Sequence, residues 1–338
     1  EFGAIDPNIK AFRQSEITFT FERDLGNKLT LAGRYSRKNV DRTVEDAGFL
    51  TSTGSEAYVI GNPGEGLYAQ LATQNGLVVL KPQRTYDAIE VRLDRRFADN
   101  WFFNMNYTWS RLYGNYSGLA SSDEDGRTSP NVNRFFDLPH AGFTVAGGQD
   151  NGLLPTDRTH AFKFYGAYNF DWDKLIKFGK GNETMLSMFT TVQSGTPLTS
   201  TVDIANIDTI VLSRRGDLGR TEMYTQTDLA LRHNIKFGRD NRFKVILEAD
   251  VINAFNESNE LSRNNLISIT NYDLTDPTWG LLTPAEVNLP NAQALAMGRF
   301  QRNGSAALAA DATLATNPAR NKLFNLTNSF QGGREVRM

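Results

Sequence analysis

The chain has no cysteine in 338 residues, which excludes disulfide staples, thiolate metal sites and cysteine nucleophiles. It also lacks any run approaching the ~18 consecutive apolar residues that a membrane-crossing helix needs. That excludes helical membrane proteins but not barrels, whose strands are apolar on one face only. A surplus of charge of either sign is missing: 36 Lys and Arg face 38 Asp and Glu. No basic field for nucleic acid and no acidic tail results. The opening Glu1-Phe2-Gly3-Ala4-Ile5 has no basic region leading into an apolar core, so no secretory signal is read there. An exported chain of this kind is expected to be mature or to lack its beginning. Histidine is scarce. His140, His160 and His233 stand far apart, without metal-ligand spacing or a readable Ser-His-Asp arrangement. An enzyme is therefore not expected.

Aromatic rings are plentiful, with 22 Phe and 11 Tyr against 4 Trp. The connections between alternating apolar and polar segments are by turns tight and very long. Gly26-Asn27 divides a first pair of segments, Ala98-Asp99-Asn100 a second, and Gly238-Arg239-Asp240-Asn241 a later one. Between pairs lie polar, Gly-rich stretches: 39–83, 114–157, 196–222 and 257–331. In an up-and-down sheet every second connection falls at the same end, so short turns at one rim and long loops at the other predict an outer-membrane β-barrel.

The segments themselves keep a period of two. Ile17, Phe19 and Phe21 alternate with Glu16, Thr18, Thr20 and Glu22; Ile89, Val91 and Leu93 alternate with Glu90, Arg92 and Asp94. Trp101, Phe103, Met105, Tyr107 and Trp109 form the expected membrane-facing set of one strand. Its two tryptophans stand ~26 Å apart at ~3.3 Å per residue, near the two membrane interfaces. Two buried core tryptophans are the competing reading. The opposite faces supply the expected lumen- or plug-facing set, Arg92, Asn104, Asn106, Lys163, Asp228, Arg232, Glu248 and Asp250. Charges at alternate positions of long strands suit a wet, wide lumen.

Several runs carry a family resemblance. Tyr107-Thr108-Trp109-Ser110-Arg111-Leu112-Tyr113-Gly114-Asn115-Tyr116-Ser117-Gly118-Leu119 is the most specific. It is joined by Leu154-Pro155-Thr156-Asp157-Arg158-Thr159-His160, Gly195-Thr196-Pro197, Asp217-Leu218-Gly219-Arg220-Thr221 and Asn253-Ala254-Phe255-Asn256. Together they resemble the Oar-like group of TonB-dependent outer-membrane receptors. The resemblance implies a barrel of about 22 strands filled by an N-terminal plug and driven by the TonB system. On that reading residues 1–338 are one partial barrel domain, its C-terminal portion, an all-β, antiparallel up-and-down transmembrane sheet of about eight or nine strands. The plug and the closing strand are then absent. The implied role is uptake or passage of a large or scarce ligand across the bacterial outer membrane. The implied partners are lipid, lipopolysaccharide, the receptor's own plug and the TonB system.

Among loop residues, Tyr113, Tyr116, Phe135, Phe136 and Asp137 are candidates for a ligand vestibule, since rings with polar groups between them suit sugars or peptides. Loop packing is the alternative. No resident cofactor is expected. Asp123, Glu124 and Asp125 before Gly126 are hard oxygen donors that could hold Ca²⁺, although the alternating spacing of a calcium loop is missing. The competing class is a soluble secreted β-module that binds carbohydrate or peptide through its long loops.

Overall fold

Runs that alternate β-branched, aromatic and polar residues can bury one face and wet the other only as strands. In the computed structural model, which describes residues 4–50, 56–74, 81–118, 136, 150–176, 181–204, 208–211, 214–267 and 321–337, they do so. The wall strands are β1 (Arg13–Gly26), β2 (Leu29–Arg42), β3 (Arg84–Ala98), β4 (Trp101–Gly114), β5 (His160–Asp171), β6 (Glu183–Gln193), β7 (Tyr224–Phe237), β8 (Phe243–Ile252) and the short β9 (Glu335–Arg337). They pair in sequence order, β1 through β9, every pair antiparallel. The path is open, and Gly152–Leu153 adds a two-residue strand beside the end of β4. The first eight strands each have 10 to 15 residues. A tilted membrane crossing takes about 9–11.

The register carries each face unbroken across the sheet. On the apolar face Tyr35 stands beside Ile89, Ile89 beside Trp109, Val91 beside Tyr107, and Tyr107 beside Phe162. On the polar face Arg92 stands beside Asn106, Asn106 beside Lys163, Arg232 beside Glu248 and Asp250 beside Arg337. A slip of one residue would exchange the faces of every strand. One gap in the apolar face has a ring over it: a Cβ at Gly33 would meet Phe21 Cε1 at 2.2 Å, so glycine lets the neighbouring ring lie across the strand.

The tight turns need left-handed backbone. Asn27 and Lys28 have φ of 51° and 68°, Asp99 and Asn100 of 51° and 72°, the pattern of two-residue turns that match strand twist. The first turn is thus centred one residue later than Gly26-Asn27. Gly26, at φ 82°, ends β1 at a register shift, where an extra residue is accommodated. The connection 172–182, longer than the other turns, opens with a helical turn at Trp172–Ile176.

Among the described residues the large buried side chains lie in the long-loop rim, while the wall buries mainly small residues such as Ala32, Ala88 and Ala167. The largest fully buried side chains are Tyr68, Tyr116, Phe136, Leu154, Asn253 and Thr43, none of them in the middle of a wall strand. Phe19 is 67% exposed and Phe21 60%. A one-layer wall has no second layer to pack on.

Arg95 reinforces the second turn, donating to Ala98 O at 2.8 Å and Trp101 O at 2.6 Å and lying 3.7 Å from the Trp101 ring centroid. Asn100→Val places a β-branched residue in left-handed backbone and is expected to cost about 1–2 kcal/mol. Asn100→Gly is expected to be near neutral. Urea midpoints in lipid or detergent will separate the two.

Candidate functional site

Four family-like runs, far apart in sequence, meet at the long-loop end. Asp157 is 1% exposed. Its carboxylate accepts the Leu112 amide at 2.5 Å and the Arg220 guanidinium at 2.5 Å. Arg220 also donates to Gly195 O at 2.9 Å. Thr196 N donates to Thr221 Oγ1 at 2.9 Å, and Thr221 N returns a bond to Thr196 O at 3.0 Å. A Cβ at Gly195 would sit 1.8 Å from Thr221 O, so only glycine permits this approach. Behind them Asp150 and Arg215 form an ion pair at 3.1 Å with side chains 0% and 1% exposed. Charges this buried persist only when paired.

Two small hairpins stand on this base: Thr201–Ile204 with Asp208–Val211, and Glu260–Arg263 with Thr327–Phe330. They are joined by Thr201 N to Asn265 O and Ile267 N to Thr201 O, both 2.9 Å. Glu260 is 3% exposed. Its hydrogen bonds from Arg263, at 2.5 and 2.9 Å, hold its carboxyl below the ordinary glutamate range. Between the hairpins opens a cavity of about 410 Å³ lined by Pro197, Leu198, Leu261, Asn265, Asn321 and Asn328 among others. Its size suits a small ligand or one segment of a larger one.

The expected vestibule is corrected in part. Tyr116 and Phe136 are each 1% exposed, with ring centroids 6.2 Å apart. Phe136 O accepts the Tyr68 hydroxyl at 2.7 Å. These rings pack the loops on one another. Burial, reinforced by Glu45, pushes the Tyr116 phenol well above its ordinary pKa. Tyr113 is half-buried under Arg111, 4.4 Å from its ring centroid. Phe135, Asp137 and the calcium candidates Asp123, Glu124 and Asp125 lie outside the described residues. Among the described residues no cluster of three or more His, Asp or Glu could hold a metal.

The wall residues singled out from sequence stand as two sets. Trp101, Phe103, Met105, Tyr107 and Trp109 share the apolar face of β4, with Trp101 and Phe103 stacked at 5.8 Å. The Tyr107 hydroxyl and His160 Nδ1 are hydrogen-bonded at 2.7 Å. The polar set is linked by ion pairs and amide bonds. Arg92 pairs with Glu22 at 3.2 Å and Asp94 at 2.6 Å. Asn104 donates to Asp94. Glu90 accepts from Arg34 at 2.7 Å and Asn106 at 2.9 Å. Arg232 pairs with Glu248 at 3.2 Å. Asp228 accepts from Gln226 at 2.9 Å and from Asn253 N at 2.8 Å. Asn253, recognised only as a motif residue, is a pin. Its side chain binds Glu257 N and O and Gly332 O at 2.8–2.9 Å, tying the end of β8 to the approach of β9.

The family profile of outer membrane β-barrel domains matches residues 1–221. The TonB-dependent transporter Oar of Myxococcus xanthus is 34% identical over 255 residues, which cover 75% of this chain and 22% of Oar. The chain therefore spans under a quarter of that relative. Among solved structures, the outer membrane transporter YddB of Escherichia coli aligns with a TM-score of 0.45 at 8% identity, covering 76% of this chain and 30% of YddB.

Removing one partner of the Asp157–Arg220 pair leaves the other charge stranded against the Leu112 amide and the loop carbonyls. Arg220→Ala is expected to cost about 3 kcal/mol and to speed hydrogen exchange at Leu112 and Thr221. Mass-resolved exchange of the two peptides provides the measurement.

Proposed function

Since this chain belongs to the family of outer membrane β-barrel domains, we propose that it is part of the wall and long-loop rim of a TonB-dependent outer-membrane transporter of the Oar type. Its place is the outer membrane. The observation that carries the transport reading is the unbroken division of faces over eight antiparallel strands, short turns at one end and a built, cavity-bearing rim at the other. The apolar face, with Trp101, Phe103, Met105, Tyr107 and Trp109, meets lipid. The polar face, with Arg92, Asn104, Asn106, Lys163, Asp228, Arg232, Glu248 and Asp250, looks into the lumen and meets a plug. The open edges of the path accept further wall strands, since unpaired edges are not tolerated in hydrocarbon.

In this arrangement the rim makes first contact with the ligand, and the cavity between the two hairpins is the place for it. The rim is braced by buried ion pairs, so it offers a shaped surface instead of loose loops. The lumen below carries paired charges and amides, which keep it wet without a strong net field. Energised passage then depends on the plug and the TonB system, partners that fit the relative's description as a TonB-dependent transporter.

A cysteine-free chain makes the face assignment testable one residue at a time. Single cysteines at 103 to 107 are expected to alternate in the membrane-embedded protein. Positions 103, 105 and 107 should react with a lipid-phase reagent, and 104 and 106 with a water-soluble maleimide. The reversed alternation, or a protein that is monomeric in water without detergent and protected at Phe103 and Met105, overturns the reading in favour of a soluble β-module.

A further inference from the structure

We propose that the polar face carries an anion-binding niche just below the long-loop rim, formed by Lys163 and Arg158, and that it takes the carboxylate or phosphate group of a small molecule entering the wall. A cavity of about 310 Å³ lies there, lined by Tyr86, Asn106, Arg158, Lys163 and Gln193 among others. The proposal rests on the face assignment above, because only a lumen-facing niche meets such a solute.

Charge pairing distinguishes this spot from most of the face. Arg34, Lys38, Arg92 and Arg232 each hold a carboxylate within 3.2 Å. Lys163 makes no ion pair with any described residue; its neighbours in register are Asn106 and Thr191. Arg158 is half-buried and donates to the Ser194 carbonyl at 2.8 Å, with no carboxylate partner among the described residues. Burial, and after it the nearby Arg220, lower its hold on the proton. Asp157 is the one acid in the cavity lining, and it is already committed to Leu112 N and Arg220. Two cations, the half-buried Arg158 and the exposed Lys163, therefore line one cavity without a counter-charge of their own among the described residues. An anion entering it restores the balance that Arg34, Lys38, Arg92 and Arg232 obtain from glutamate and aspartate.

Neutral donors complete the niche. Tyr86 and Gln193 line the cavity, and no side-chain hydrogen bond engages either among the described residues. Planar carboxylate or tetrahedral phosphate oxygens accept from such a mixed set, with the guanidinium fork giving direction and the ammonium a point charge.

The test is calorimetric titration of citrate and of inorganic phosphate into the full-length, detergent-solubilised receptor that contains this chain. At least one is expected to bind, with affinity falling as salt rises. Lys163→Gln is expected to weaken it about tenfold, as loss of one charge-assisted hydrogen bond does, and Lys163→Arg to keep it within about threefold. Lys244→Gln is the control. Lys244 also lacks an ion pair with a described residue and is exposed like Lys163, but it stands near the short-turn end and outside the cavity. Arg158→Gln is a second test but also removes the bond to Ser194 O, so Lys163→Gln decides. No binding of either anion, or equal loss in Lys163→Gln and Lys244→Gln, overturns the niche. The cysteine alternation reports separately on the face assignment, so a reversed wall and a missing niche give different results.

Discussion

Within hydrocarbon, no water is at hand for a backbone amide or carbonyl, and each one left unpaired costs several kcal/mol. Antiparallel neighbours answer this on both sides of every strand from β2 to β7, β1 and β8 each keep an edge for a further strand, and the period-two division of faces follows from it. With the backbone consumed by its neighbours, side chains alone face outward and inward. A one-residue slip at any pair would bring Arg92 or Lys163 to the lipid side and Tyr107 or Phe162 to water. The cost of that exchange fixes the register more firmly than any single contact in the wall.

The same constraint explains why the packed core lies in the rim. A single sheet layer has no second layer packed on either face, so it encloses no interior of its own. The loops must supply their own interior to hold a shape. They do so with aromatic packing at Tyr68, Tyr116 and Phe136 and with the ion pairs Asp157–Arg220 and Asp150–Arg215. A recognition surface built on such pairs is ordered before a ligand arrives, so less of the binding free energy is spent on ordering it.

Legibility in the sequence followed the range of the interaction. Wall strands were readable because their signal is local. Glu90-Val91-Arg92-Leu93-Asp94 declares its two faces without reference to any other residue. Tight turns were readable to within a residue, since Asp99-Asn100 carries its own conformational preference. Lys28 does not, and so the first turn was placed one residue early. The rim was not readable in this way. Asp157 and Arg220 are separated by 63 residues, and no period relates them. Their only trace was that both stand in family-like runs, which signals importance and not contact. The same limit misplaced Tyr116 and Phe136. An aromatic residue in a long polar loop looks alike from sequence whether it faces a ligand or another loop, and only burial decides.

Near-neutral composition has a structural meaning once the register is known. Net charge −2 could describe scattered surface charges that never meet. Here, much of the polar face is cross-strand pairs: Glu16 with Lys38, Arg34 with Glu90, Arg92 with Glu22, Arg232 with Glu248. Exposed pairs like these add little stability singly. Their larger effect is on the field, because a lumen lined by neutralised pairs neither traps nor repels a charged solute strongly. Against that background an unpaired cation is a local signal whose strength depends on how little water surrounds it. Lys163 on the open face is well hydrated, whereas Arg158 is not. The two line one cavity where the wall passes beneath the rim; on the proposed reading, a solute leaving the loops first encounters the lumen there.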